Sequence, residues 1–404
     1  MIKRSLSAIA FCDAWGRQMR FISGPRQSGK TTLAKQKLAD DRQTRPLYYL
    51  WDQRAVRNRY WENELFFTAD APPSGKKIWL CFDEIHKMPK WKNILKAIFD
   101  EMQNHYSFII TGSAKFDTLR KAGDSLSGRY FTFTLYPLSL DEVLNTFQKN
   151  LEPPADILRF IASKTGPQSA AQEAMESLLA FSGFPEPFVM QKRPFLNKWT
   201  ADYVDTVIRD DINPLTRIVE SDHLYDLYRL LPEMAGGILS ESSLASHVQV
   251  SPVTLKRYLK RLQDFYLIFQ LHPYTKNIKR SLLRATKGYL FNWVTIGDEG
   301  ARFENYVACE LKTRTSRWSE YAGGNYDLYY VRNQLKQEAD FLVTRNGAPW
   351  FLVETKLKDA PLDRHLYEFS SGLNVPIVQL CREGGVAMLQ KSTAFRISAS
   401  RFFS

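Results

Sequence analysis

The chain has 404 residues, 44% of them hydrophobic, and its formal net charge is +12. This length predicts about two to three domains with sizeable cores, and no apolar run approaches the roughly 20 residues that a membrane span requires. The basic balance favours a polyanionic partner, DNA or RNA, and the four widely spaced cysteines are typical of the reduced thiols of a prokaryotic cytoplasmic protein.

The first motif is a glycine-rich loop between an apolar run, residues 19–22, and a helix-like stretch. Residues 24–31 match the phosphate-binding pattern G-x-x-x-x-G-K-[ST] at every fixed position. In this pattern backbone N–H groups surround phosphate oxygens, the lysine reaches the β- and γ-phosphates, and the threonine hydroxyl ligates Mg²⁺. We therefore predict ATP or GTP binding, and ATP is favoured because the guanine-specific N-K-x-D motif is absent from the sequence. The predicted contacts are Gly24, Pro25, Arg26, Gln27, Ser28, Gly29, Lys30, Thr31 and Thr32.

A second motif ends the apolar run 78–82 with two carboxylates, Asp83 and Glu84. An unbroken apolar run predicts a central parallel strand, and the carboxyl ends of such strands are where open α/β sheets bind ligands. Behind a phosphate loop, we expect Asp83 to hold Mg²⁺ together with Thr31. Glu84 is then the residue that orients or deprotonates the attacking water.

Two further residues are candidates for sensing the nucleotide. The apolar run 107–110 leads into Thr111-Gly112-Ser113, and we predict that Ser113 contacts the γ-phosphate. Arg129 lies in a loop before another strand-like run. It is interpreted equally as an arginine finger acting across an oligomer interface, as a residue that reports nucleotide state, or as a solvated surface charge.

These motifs occur in the order of one known family. The chain resembles the prokaryotic AAA-type ATPases that carry a C-terminal domain of unknown function 4143, and the resemblance covers nearly its whole length. It implies an α/β fold with three parts, namely a P-loop core with a parallel sheet, a winged-helix middle and a restriction-endonuclease-like α/β end. We place these parts at residues 1–150, 151–295 and 296–404. The matching segments are the phosphate loop, residues 83–87 with Trp91, residues 111–113, residues 126–129 and residues 136–138.

The middle part contains helix-like segments at 140–150, 170–182 and 203–212, followed by a helix-turn-helix pattern. Its helices are expected at 242–247 and 252–265, with Ser251 as the N-cap of the second. Leucines form the buried stripe, and basic residues occupy the outer faces. We expect these to contact DNA, although a structural lid or a protein contact is an equal interpretation. The basic residues are Lys256, Arg257, Lys260 and Arg261, with Lys276, Lys279, Arg280, Arg284 and Lys287 in the following wing.

The last part carries Asp340 and Glu354-x-Lys356 on two strand-like runs, and Glu304 on an upstream helix-like segment. This is the pattern of restriction-type nucleases. Oxygen ligands from Asp340, Glu354 and Glu304 would hold Mg²⁺, and Lys356 would position the hydroxide. Because the pattern is short, whether the site cleaves DNA stays open.

The sequence thus predicts a Mg²⁺-dependent ATPase whose nucleotide state controls a C-terminal half that binds DNA, and cleavage of that DNA by the nuclease-like site is an open possibility. The alternative is an ATP-controlled switch or protein-interaction scaffold with a catalytically silent nuclease fold.

Overall fold

A computed structural model describes residues 2–40, 46–71, 77–113, 126–164, 169–213, 221–275, 285–389 and 393–404. These residues form two compact units. The N-terminal unit comprises Arg4–Tyr136 with Asp264–Tyr266, and the C-terminal unit comprises Pro137–Gln263 and Leu267–Ser404. The predicted boundaries near residues 150 and 295 stay predictions.

The N-terminal unit is a five-stranded sheet with the strand order β2-β3-β4-β1-β5, and every neighbouring pair is parallel. The strands are β1 (Met19–Ser23), β2 (Leu47–Leu50), β3 (Ile78–Asp83), β4 (Tyr106–Thr111) and β5 (Tyr130–Thr134). Its helices are α1 (Ser5–Ala10), α2 (Lys30–Asp40), α3 (Arg54–Glu62) and α4 (Trp91–Met102). The predicted α/β fold with a parallel N-terminal sheet is confirmed.

Apolar runs build the centre of this sheet. All five residues of β1 are buried, and β4 is buried along most of its length. β4 lies between β1 and β3. The phosphate loop, which follows β1, and Asp83, the last residue of β3, are therefore on either side of β4. The register pairs Thr111 with both Ile22 and Asp83. Three strand ends therefore meet at one edge of the sheet.

Helices make up the first part of the C-terminal unit. The predicted helix 140–150 is shorter than expected, because Asn145 adopts a left-handed backbone conformation (φ 55°) that ends it. The predicted helix 203–212 corresponds to the end of a longer α-helix, which ends at Thr206, and the π-helical segment Val207–Ile212 that follows it. The helices are α5 (Leu140–Val143), α6 (Ile157–Ser163), α7 (Ser169–Phe181), α8 (Pro185–Met190), α9 (Arg193–Thr206), α10 (Ser221–Leu230), α11 (Glu241–Val248) and α12 (Pro252–Asp264).

The α11–α12 pair lies where the helix-turn-helix was predicted. Ser251 caps α12 as expected, because its Oγ accepts a hydrogen bond from the Thr254 amide at 3.1 Å. The expected leucine stripe of α12 is buried, and Lys256, Arg257 and Lys260 are exposed. The pair is followed by an antiparallel hairpin of β6 (Ile268–Leu271) and β7 (Lys287–Leu290). Four predicted wing residues, Lys276, Lys279, Arg280 and Arg284, lie outside the described residues.

The remainder of the C-terminal unit is a mixed six-stranded sheet of order β12-β13-β11-β10-β9-β8. Its strands are β8 (Tyr326–Arg332), β9 (Glu338–Arg345), β10 (Ala348–Lys356), β11 (Ile377–Cys381), β12 (Ala387–Leu389) and β13 (Ala394–Ser398). The accompanying helices are α13 (Glu299–Tyr321), α14 (Arg364–Leu373) and α15 (Ala399–Phe403). In the parts of the chain described above, no helix is both long and apolar enough to cross a membrane.

Candidate nucleotide and carboxylate sites

The phosphate loop joins β1 to α2 and depends on its glycines. Gly24 has φ 144°, and a Cβ placed there would lie 2.2 Å from the carbonyl oxygen of Leu135, so only glycine fits. Gly29 also has a positive φ, 97°. The helix begins at Lys30, and its N-terminal end therefore follows the loop directly, as an anion site requires.

The side chain of Lys30 folds back over the loop. Its Nζ donates to the carbonyl oxygens of Gly24 at 3.0 Å and Pro25 at 2.7 Å. Behind the loop, the buried Arg4 guanidinium donates to the carbonyl oxygens of Ser28 at 2.6 Å and Tyr136 at 2.5 Å. Arg4 thus braces the loop from α1's N-terminal side, a role that no local sequence pattern indicates.

Asp83 is the centre of the site. Its carboxylate accepts hydrogen bonds from the hydroxyls of Thr31 at 2.7 Å, Tyr48 at 2.5 Å and Thr111. The first contact joins the two motifs that were predicted to share a Mg²⁺ ion. Tyr48 and Thr111 were not predicted as partners, because they lie on neighbouring strands and only the strand register brings them to Asp83. Burial and this hydrogen bond raise the pKa of Tyr48, which therefore remains a neutral donor.

Glu84 follows Asp83 in a left-handed backbone conformation (φ 57°), with its amide bonded to the Thr111 carbonyl at 3.2 Å. Its Oε2 lies 3.5 Å from Lys87 Nζ, and Lys87 also pairs with Asp52 at 2.6 Å. Burial raises the pKa of Glu84, and the charges of Lys30 and Lys87 oppose that rise. A partly buried carboxylate with a raised pKa is suited to accept a proton from water.

Two buried hydroxyls near these motifs fit a bound nucleotide. In the described residues, the Oγ atoms of Ser28 and Ser113 have no hydrogen-bond partner, although both side chains are buried. Buried hydroxyls are normally satisfied, and phosphate oxygens would supply the missing acceptors. The other predicted contacts lie on the same loop and the first turn of α2. Pro25 is buried, Arg26 is partly exposed, and Gln27 and Thr32 are exposed.

Arg129 lies at the amino-terminal ends of the strands, whereas the phosphate loop lies at their carboxyl-terminal ends. It directly precedes β5, and its carbonyl oxygen accepts a bond from Met19, the first residue of β1. The phosphate loop follows the last residue of β1. The Arg129 guanidinium forms a bidentate ion pair with Asp100 of α4, with N–O distances of 2.7 and 2.9 Å. A contact with the nucleotide of the same chain does not fit this position, so action across an oligomer interface and a solvated surface charge stay the two interpretations of Arg129.

The carboxylates predicted in the C-terminal unit converge. β9 and β10 pair with Phe341 opposite Val353, which brings Asp340 and Glu354 to neighbouring strands. Lys356 lies on the same face of β10 as Glu354, and their side chains are 3.0 Å apart. Burial, followed by the charge of Asp340, raises the pKa of Glu304 to about 8 and that of Glu354 to about 7.

A residue predicted as a phosphate contact lies in this cluster instead. Lys287 of β7 is buried, with its Nζ 2.9 Å from Glu338 Oε2 and 3.7 Å from Glu304 Oε1. The expected phosphate contact of Lys287 is therefore wrong, because its side chain is buried and lies against Glu338 and Glu304. Glu304 also accepts a hydrogen bond from the Tyr289 hydroxyl at 2.9 Å. Across the described ranges, no three His, Cys, Asp or Glu side chains are placed to share a metal ion.

Comparison with known families agrees with the order of the two units. Residues 16–144 match the family described as an AAA domain, and residues 299–391 match the domain of unknown function 4143. The chain carries an AAA domain followed by a domain of unknown function 4143. The predicted resemblance to AAA-type ATPases with a C-terminal domain of unknown function 4143 is thus confirmed, and the winged helix and the restriction-endonuclease-like fold stay predictions. Residues 172–293, between these domains, match a further domain of unknown function, 8612.

The sequence relatives and solved structures that resemble this chain have low sequence identity to it. Uncharacterised proteins of Mycobacterium tuberculosis and Mycobacterium bovis are each 24% identical over 349 residues, covering 81% of this chain and 68% of theirs. An uncharacterised protein of Haemophilus influenzae is 24% identical over 317 residues, covering 73% and 74%. Aeropyrum pernix Orc1 in complex with DNA is 12% identical with a TM-score of 0.31, covering 76% of this chain and 92% of that one. AMPPCP-bound DnaA from Aquifex aeolicus is 15% identical with a TM-score of 0.28, covering 64% and 86%.

Proposed function

We propose that the AAA domain binds ATP with Mg²⁺ and hydrolyses it. The observation that carries this proposal is the 2.7 Å hydrogen bond from the Thr31 hydroxyl to Asp83, at the end of a strand that also carries Glu84. A hydroxyl and a carboxylate joined in this way form the Mg²⁺ site of P-loop enzymes. The AAA family match supports the same assignment.

Each side chain then has a defined task. Lys30 leaves the loop carbonyls and pairs with the β- and γ-phosphates, while Ser28 and Ser113 donate their hydroxyls to phosphate oxygens. Thr31 and Asp83 would hold Mg²⁺, which would neutralise the negative charge that develops on the phosphates. Glu84 orients the attacking water and accepts its proton.

Equilibrium nucleotide binding tests these assignments. We expect Lys30→Ala to abolish binding of a fluorescent ATP analogue, because it removes the charge that faces the phosphates. Glu84→Gln should bind like the wild type, since this residue acts on water. Lys37→Ala, on the same helix but packed over the Trp79 ring, is the matched control. Equal binding by the Lys30→Ala and Lys37→Ala chains would refute the loop assignment.

We also propose that α12 contacts DNA. The support is a capped helix with three exposed basic side chains, Lys256, Arg257 and Lys260, in a chain of net charge +12. Phosphate contacts of this kind are lost steeply as salt rises. Replacing all three residues with alanine should weaken binding of duplex DNA and flatten its salt dependence. A triple alanine variant at the exposed residues Arg159, Lys198 and Arg364 is the control; equal loss in both variants would refute a role for α12.

Arg129 is proposed to complete the site of a neighbouring copy. Its pair with Asp100 would then break when the copies assemble. Mixing Arg129→Ala chains with Glu84→Gln chains tests this directly, because a mixed interface combines an intact Glu84 with an intact Arg129. We expect ATP turnover above the sum of the two separate variants, and simple additivity would exclude action in trans.

One observation favours a second function for the C-terminal unit, a silent nuclease fold that serves as an ATP-controlled binding module. The Lys287 ammonium occupies the carboxylate cluster in which a nuclease would hold its metal. Plasmid cleavage with Mg²⁺ or Mn²⁺ separates the two functions. Metal-dependent cutting that is lost in Glu354→Ala would establish a nuclease, and absence of cutting with ATP turnover intact would favour the binding module.

A further inference from the structure

The carboxylate cluster of the C-terminal unit contains its own cation. Lys287 reaches it from β7, and only 4% of the lysine side chain is exposed. Its ammonium lies between Glu338 of β9 and Glu304 of α13. Three separate elements of the unit are therefore joined through one buried charge.

Asp340 and Glu354 each have one carboxylate oxygen with a protein partner as well. Asp340 Oδ2 accepts hydrogen bonds from the amide and hydroxyl of Thr355 at 2.8 and 2.6 Å. Glu354 Oε1 pairs with Lys356 Nζ at 3.0 Å. Among the described residues, Glu354 Oε2 is buried without a hydrogen-bond partner.

This arrangement does not fit the Mg²⁺ ion that the nuclease pattern implies. Mg²⁺ requires oxygen ligands at about 2.0–2.1 Å in near-octahedral geometry. With the Lys287 ammonium lying against two of the acids, no three acidic, histidine or cysteine side chains in the described part of the chain are placed for that. Like charges repel, so a divalent ion and the Lys287 ammonium would compete for the same carboxylates.

We propose that Lys287 is the resident counter-cation of this cluster and takes the place of a divalent metal. The site is a buried ionic junction that fixes β7 against α13 and β9. This inference concerns the C-terminal unit alone, and the ATPase proposal does not depend on it.

Mn²⁺ binding to the full-length chain without nucleotide tests the proposal. We expect the wild-type and Glu304→Gln chains to bind the same number of ions in a calorimetric titration, because any site at the phosphate loop is common to both. A wild-type ion that is lost in Glu304→Gln would overturn the proposal. This comparison needs no change at Lys287.

Removing the resident cation gives the complementary test. Lys287→Met keeps most of the side-chain volume but leaves the acids uncompensated, so we expect the chain to bind one more Mn²⁺ ion than the wild type. Lys287→Arg retains the charge and should gain none, and Glu304→Gln added to Lys287→Met should abolish the gain. A folded Lys287→Met chain that gains no ion contradicts the proposal. Where that variant does not fold, the comparison of wild type with Glu304→Gln decides.

Discussion

Tyr48→Phe isolates the contribution of a hydroxyl that sequence motifs do not identify. The Tyr48 hydroxyl donates to Asp83 at 2.5 Å, and Asp83 is 2% exposed. Hydrogen bonds to charged groups contribute about 1.5–3 kcal/mol. Because Thr31 and Thr111 also donate to Asp83, we expect a loss at the lower end of this range, about 1.5 kcal/mol. This corresponds to about a tenfold decrease in the rate of ATP hydrolysis. Partners that orient metal ligands have effects of about this size.

The assay is steady-state ATP hydrolysis at saturating Mg²⁺ and ATP. Tyr48→Phe should lower the turnover number about tenfold while ATP affinity changes little, because no phosphate contact is removed. The next residue supplies a matched control. Tyr49 points to the other face of β2, and its hydroxyl bonds to Asp70 at 2.9 Å. Turnover by Tyr48→Phe equal to that of the wild type, or an equal loss in Tyr49→Phe, would refute the reasoning.

Three further changes have expected outcomes. Gly24→Ala should abolish ATP binding, because the new Cβ would meet the Leu135 carbonyl; unchanged analogue binding would contradict this. Arg317→Met should lower the free energy of unfolding by about 3 kcal/mol in urea, because it leaves the buried Asp141 without its 2.6 Å partner; a change below about 1 kcal/mol would contradict the buried pair. The pKa of Glu304, raised to about 8 by burial and Asp340, makes the folded chain hold a proton that the unfolded chain loses near its usual pKa of 4.5. Stability should therefore fall as pH rises from about 4.5 to 8, and Glu304→Gln should flatten this dependence in thermal unfolding; an unchanged pH profile would contradict it.

Local patterns predicted the elements of the nucleotide site. The phosphate loop and the Asp83-Glu84 strand end are continuous in sequence, so their spacing and apolar context were sufficient. The partners of Asp83 were not predictable in this way. Tyr48 and Thr111 lie 35 and 28 residues from it, and they meet it only because β2, β3 and β4 are neighbours in register.

The wrong predictions concern residues whose surroundings depend on contacts between segments that are distant in the sequence. Lys287 was predicted to contact phosphates together with the other basic residues of the wing. The fold turns its side chain into the unit, where Glu304 and Glu338 pair with it. The position of Arg129 also depends on long-range packing. Its loop position was clear from the sequence, but the parallel pairing of β5 with β1 determines which edge of the sheet it occupies.

We propose that Glu84 activates the water that hydrolyses ATP, at a site formed with Lys30 and Asp83. The most direct measurement is a single-turnover assay with radiolabelled ATP bound to the wild-type and Glu84→Gln chains. We expect both chains to hold ATP and the Glu84→Gln chain to release inorganic phosphate at least about a hundredfold more slowly, because it lacks the general base. Phosphate release at the wild-type rate from Glu84→Gln would contradict it.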